Sequence, residues 1–355
     1  MGEGMPMKTL SSLLPIGWIV SAAALLPGQA MALAYQNTAD ITAVSTASDA
    51  SFSFLDGVGY VLTANQSAGN YVACTGAALS SRIILTSSHC FDFNYDNKTD
   101  NSRSMFYAWE GSGANRGLTQ YDGTVIAAPQ HEIILSGGYK AYSDVALIVL
   151  DSPLEPTTPT YAVYSGALSS SVLDKLHDGA MTVGYGQHHE EGRFIEGGSA
   201  FNRWVGYTKI DDYDPVKGGT LSATLVNGTS ILAAGDSGGP LMSWTQAGGA
   251  PLGVIFGTGA YARDNQGNGR YSDLGDEAYW SAINAAGMIE FIKQVAAQYG
   301  ETVKFYSGSD LSACTKGLSC PNFPTSAVVP EPSEWALLGA GLATIGALAR
   351  RRRKV

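Results

Sequence analysis

The chain has 355 residues and a formal net charge of −10, and only 15% of its residues are charged. Removing the five cations and two acids of its C-terminal end takes that charge to about −13, which excludes nucleic acid and anionic membrane surfaces as partners of the body. Sparse charge with 43 glycines suits a loop-rich β protein better than a helical one.

The N-terminus reads as a signal peptide over residues 1–34. Lys8 supplies its positive start, Leu13 to Leu26 its apolar run and Ala32-Leu33-Ala34 a small-residue cleavage site, leaving Tyr35 as the expected mature start. An uncleaved N-terminal anchor is the alternative, disfavoured because the run is short for a bilayer. Residues 35–53 are rich in Ser, Thr and Ala and read as a leader or pro-segment. From there short β-rich runs alternate with turns, at Gly59–Leu62, Tyr71–Ala73, Ile83–Thr86 and Val145–Leu150. Asp151-Ser152-Pro153 ends the last of them and opens a Pro/Thr/Ser connection to about Ser171. Further strands are expected at Met181–Gly186 and Leu252–Phe256. Apolar residues at helical spacing predict a helix within Ser281–Gln298. A polar linker, residues 301–329, follows.

Three short motifs carry chemistry. Gly235-Asp236-Ser237-Gly238-Gly239-Pro240 sets a serine among glycines, where the backbone turns sharply and its N–H groups face outward. A serine hydroxyl attacks only if a base takes its proton and donors stabilise the oxyanion it makes. Thr86-Ser87-Ser88-His89-Cys90 supplies an imidazole, and Ser143-Asp144-Val145-Ala146-Leu147-Ile148 a carboxylate beside an apolar strand, where it needs a partner. The order His, Asp, Ser, with separations of 55 and 93 residues, resembles that of a trypsin-like (chymotrypsin-fold) serine protease from about Phe54 to about Gln298.

The resemblance implies an all-β fold of two packed six-stranded antiparallel barrels with a C-terminal helix. The first barrel is expected over residues 54–160, and the second barrel with the helix over 161–300. It implies a serine endopeptidase working on protein or peptide substrates through an acyl-enzyme, without a cofactor. Ser237 is the implied nucleophile, His89 its base, Asp144 the group that orients His89, and Gly235 and Ser237 the oxyanion donors. It also implies a Cys74–Cys90 bridge beside the histidine, which leaves Cys314 and Cys320 as a second pair in the linker. Ile231, six residues before the nucleophile, falls at the floor of the specificity pocket, where an apolar residue disfavours Arg/Lys substrates. Glu277, on the final strand, is the one candidate for restoring them.

The chain departs from the family in two ways. No Lys or Arg occurs between Lys8 and Arg82 and there is no Ile-Val-Gly-Gly start, so tryptic activation is not expected and Asp236 is left to another N-terminus or a side chain. The serine that usually supports the triad aspartate aligns with Phe256, unless the alignment slips to Thr258. Loss of turnover on the same fold, leaving a surface binding module, and an esterase are the alternative functions.

No metal site is expected. The neighbours His188 and His189 point apart in an extended chain. In the acidic run Asp92–Asp100, Asn97 and Arg103 stand where a calcium loop requires glycine and glutamate.

The C-terminus, Pro330-Glu331-Pro332 followed by an apolar run to Ala349 and the basic cluster Arg350–Lys354, resembles the PEP-CTERM sorting signal of Gram-negative bacteria. Residues 330–355 then hold a short transmembrane segment in the inner membrane until an exosortase-type enzyme processes it. A run of that length rises only about 22 Å as a helix. The basic end stays cytoplasmic, and the body is exported to the periplasm, cell surface or extracellular matrix. An ordinary tail anchor is the alternative.

Overall fold

The structure, a computed structural model, describes residues 33–35, 41–43 and 50–313 except 95, 113–114, 130–131, 135–139, 187–188, 191–192, 195–201, 216–218, 247–250, 268–272 and 286. Most of the expected signal peptide, Cys314, Cys320, His188 and the C-terminal sorting sequence therefore lie outside the described residues. Among the described residues no helix is long and apolar enough to cross a membrane.

The N-terminal half closes into a six-stranded antiparallel barrel. Arg103–Glu110 shows why: Ser104, Phe106, Ala108 and Glu110 point inward while their neighbours are more exposed, the period of two that a strand imposes. Ala146–Leu150 closes the ring by pairing with Ile83–Thr86 on one side and Gly117–Ala127 on the other. Val61, Cys74, Phe106 and Ile148 belong to the buried cluster of this half.

The C-terminal half is built on an eleven-stranded sheet. The chain thus adopts the all-β, chymotrypsin-like architecture, with one difference. The second half is this extended sheet rather than a closed six-stranded barrel, enlarged by short strands such as Ile41–Ala43 and Asp212–Asp214. One apolar cluster contains Val58, Leu85 and Leu147 from the first half with Met181, Tyr185, Met242 and Ile255 from the second. Removal of that shared apolar surface from water holds the halves together.

Helical spacing held only for the latter part of Ser281–Gln298. The helix runs Met288–Gln298 with Met288, Phe291, Ile292, Val295 and Ala296 buried. Before it, Glu277–Ala282 is a strand with Ala278 and Trp280 buried. A second helix, Ser170–Asp178, follows the expected connection where no element was expected, burying Val172 and Leu176 one turn apart. The expected linker is also folded at its start. Lys304–Tyr306 pairs with Ala162–Tyr164, and Leu311–Ser312 pairs with Trp244–Thr245.

Candidate active site

His89 sits in a single turn of 3-10 helix, Ser88–Cys90, directly after the strand Ile83–Thr86. Cys90 is bonded to Cys74, closing a loop with a sequence separation of 16. A loop of that size stabilises a fold by about 3 kcal/mol and pins the turn that carries the imidazole. Asp144 precedes the buried strand Ala146–Leu150 and follows Ser143, whose φ of 54° is left-handed, so the chain bends sharply just before the carboxylate.

The two meet closely. His89 Nδ1 lies 2.5 Å from Asp144 Oδ2, and the His89 backbone N–H donates to Oδ1 at 2.9 Å. Ser88 donates its hydroxyl to the same Oδ1 at 2.7 Å. Asp144 is wholly buried, whereas the imidazole keeps 18% of its side-chain surface exposed. Burial by itself would depress the His89 pKa. The charge and hydrogen bond of Asp144, with a smaller pull from Asp92, outweigh it and hold the imidazole above its ordinary value. Burial would likewise raise Asp144, but His89 and the Ser88 hydroxyl hold its carboxyl below the usual range.

The alignment question at Phe256 resolves locally. Phe256 is buried and stacks on Tyr164 at 4.6 Å between ring centroids, away from any polar task. Two residues on, Thr258 donates its hydroxyl to the Asp144 backbone carbonyl at 3.2 Å. The Asp144 N–H donates to Ser281 Oγ at 3.3 Å. The carboxylate itself is supported by Ser88, from the histidine's own turn, a residue that sequence reasoning quoted but gave no role.

Ser237 is half-buried in the loop after Ala233. Its backbone carbonyl accepts the Thr75 N–H at 2.8 Å and lies 4.0 Å from Cys90 Sγ, so the serine loop and the histidine turn flank one disulfide. Thr75 also donates its hydroxyl to the Gly235 carbonyl at 3.2 Å. Gly238 has φ +80° and lies so close to Thr86 Oγ1 and Thr75 O that a Cβ would come within 2.1 and 2.3 Å of them. Only glycine lets the serine loop approach the barrel this closely. The N–H groups of Asp236, Gly238 and Gly239 donate to Ala233, Gly259 and Asp236 carbonyls. Among the described residues those of Gly235 and Ser237 have no protein acceptor, leaving two donors at the nucleophile.

The specificity candidates are not alike. Ile231 is wholly buried in an apolar cluster with Ala34, Leu232, Phe256 and Trp280. Glu277 is partly exposed, accepts the Tyr279 hydroxyl, and lies 3.8 Å from Arg263.

Cys74, His89 and Cys90 lie within 4.8 Å of one another, but both sulfurs are in the disulfide and offer no thiolate to an ion. In the acidic run, Asp92 accepts the N–H of Asp96 and Asn97, and Asp100 that of Phe93, so these carboxylates bind their own backbone.

No pattern in the sequence pointed to Arg203. It is fully buried, donates to the Leu55 carbonyl at 2.6 Å, and shares Asp56 with Arg116. The segment Phe54–Gly59, the nearest counterpart of an activation N-terminus, is thus committed to its own ion cluster.

No curated protein matches the chain. The family model for trypsin matches residues 58–272, a span that takes in the His89, Asp144 and Ser237 motifs, and the chain belongs to the trypsin family of serine endopeptidases.

Proposed function

We propose that the chain is an exported serine endopeptidase that cleaves protein or peptide substrates through an acyl-enzyme on Ser237. His89 takes the hydroxyl proton on attack and returns it to the leaving amine. Asp144 fixes the tautomer that leaves Nε2 free as base and stabilises the imidazolium. The Gly235 and Ser237 N–H groups receive the oxyanion, each such donor worth about 3 kcal/mol of barrier. The observation that carries this reading is the buried carboxylate of Asp144 set against His89 Nδ1 at 2.5 Å and backed by the Ser88 hydroxyl.

A fluorophosphonate probe tests it: the mature protein labels at Ser237 and Ser237→Ala does not. Labelling that persists in that variant, or its absence from folded parent protein, overturns the assignment.

For specificity, buried Ile231 favours apolar over basic side chains, and Glu277 is already engaged by Tyr279 and Arg263. A peptide-library cleavage profile dominated by Arg or Lys overturns this. Delivery rests on sequence alone. The Pro330-Glu331-Pro332 tail is read as an exosortase-processed sorting signal that leaves the enzyme on the outer side of the inner membrane. A mature C-terminus beyond Ala349 in surface-released protein overturns sorting.

A further inference from the structure

Beside the turn that joins Arg103–Glu110 to Gly117–Ala127 lies a cavity of ≈ 300 Å³, and no residue of the three catalytic motifs lines it. Its walls come from segments far apart in the chain. Phe54 and Asp56 stand at the end of the 3-10 turn Ala50–Leu55, Trp109, Glu110 and Arg116 surround the strand turn, and Pro159 belongs to the connection between the halves. The walls are fixed by close backbone approach. A Cβ on Gly57 would come within 2.0 Å of the Pro159 carbonyl oxygen, and Gly111 makes the strand turn with a φ of +78°. The volume falls at the lower end of the range for small-molecule sites.

The polar groups of this cavity are unequally used. Asp56 accepts two guanidinium nitrogens of Arg116 and one of Arg203. Glu110 accepts the Tyr121 and Thr158 hydroxyls and the Glu155 N–H. Both carboxylates are therefore turned to protein donors, but the donors are not all met. Arg116, with only 5% of its side chain exposed, lies over the Trp109 ring at 5.5 Å from its centroid. Among the described residues neither Arg116 Nε nor Trp109 Nε1 has an acceptor, and both atoms are buried. Buried N–H groups are costly to leave in that state. What the cavity lacks is an acceptor.

Charge narrows the chemistry further. Arg116 and Arg203 cancel Asp56 and Glu110, and exposed Glu155 accepts the Gly111 N–H at the rim. An anion would face the extra carboxylate, and a cation would have to displace guanidinium or hydroxyl donors already in place. Phe54 and Pro159 contribute apolar surface.

We propose that this cavity binds a small neutral amide. Its carbonyl oxygen accepts the Trp109 and Arg116 N–H groups, and an uncharged apolar substituent lies against Phe54 and Pro159. Binding is non-covalent and uses neither Ser237 nor His89, so it stands independently of the hydrolase reading.

The test uses the full chain carrying Ser237→Ala, which cannot turn a probe over through Ser237. The Trp109 indole and Arg116 Nε–H resonances are followed by NMR during titration with N-acetyl-leucine amide. Both are expected to shift saturably at millimolar probe, and no shift overturns the site. N-acetyl-leucine and leucine amide, which carry one negative and one positive charge on the same skeleton, are expected to bind about tenfold more weakly. Equal or tighter binding of either overturns the neutral class. Trp109→Phe keeps an aromatic ring and deletes the N–H, and is expected to weaken the neutral probe about tenfold. Unchanged affinity in that variant overturns the role given to the indole. Should Trp109→Phe not fold, the two resonances and the charge preference of the Ser237→Ala chain decide the matter alone.

Discussion

Asp144 and Asp236 are both wholly buried, but their surroundings differ in kind. Asp144 faces an imidazole and a hydroxyl, and its carboxyl is held below the usual range. Asp236 faces three backbone amides, and its carboxyl is pushed up to about 7. The same burial therefore yields a committed anion in one place and an acid that readily keeps its proton in the other. What separates them is whether a cation-forming group stands within reach, since amide dipoles alone offset only part of the desolvation of a carboxylate.

The largest expected effect breaks the Asp144 side. Asp144→Asn should lower kcat about 10⁴-fold by holding His89 in the wrong tautomer, and should lower the melting temperature by removing the stability the ionised carboxylate contributes at neutral pH. Steady-state hydrolysis beside a melting curve checks both halves.

A pH titration of stability sharpens the contrast at the other aspartate. The folded-state pKa of Asp236 lies above its unfolded value. Its contribution is therefore complete below about pH 4 and is lost as pH rises through about 7. Denaturant midpoints should fall across that window, and Asp236→Asn should flatten the fall. Asp144, with its folded pKa lowered, behaves oppositely. Its contribution is present above about pH 4 and is lost only as pH drops through its depressed value.

A smaller effect is expected from Ser88→Ala, which removes one charged hydrogen bond from Asp144 while His89 remains. Such a bond is worth roughly 1.5 kcal/mol or more, so kcat should fall about tenfold. Because the Ser88 bond favours the ionised carboxylate that raises His89, the acid limb of kcat/KM should also shift in the variant. In the parent protein that limb should lie above pH 6.5, since the neutral imidazole is the base and Asp144 holds its pKa up.

The contrast also explains what could be read from the chain. His89, Asp144 and Ser237 were legible because each sits in a local pattern whose residue types the chemistry demands. Ser88 lay in plain view beside His89, yet a hydroxyl there reads as filler until the turn swings it onto a carboxylate 56 residues away. Leu33 was beyond reach for a different reason: its N–H meets the Asp236 carboxylate 203 residues away, and nothing local in the sequence marks that contact. The second half's extra strands come from two- and three-residue pairings, too short to leave any period in the sequence.

The short ladder between Leu311–Ser312 and Trp244–Thr245, tightened by the Ser243 hydroxyl on the Ser312 carbonyl at 2.8 Å, has a mechanical consequence. Tension applied through the chain beyond residue 313 meets this two-residue seam first. The seam, and behind it the pairing of Lys304–Tyr306 with Ala162–Tyr164, lie between that force and the helix Met288–Gln298, so pulling frays short strand edges before it reaches the helix.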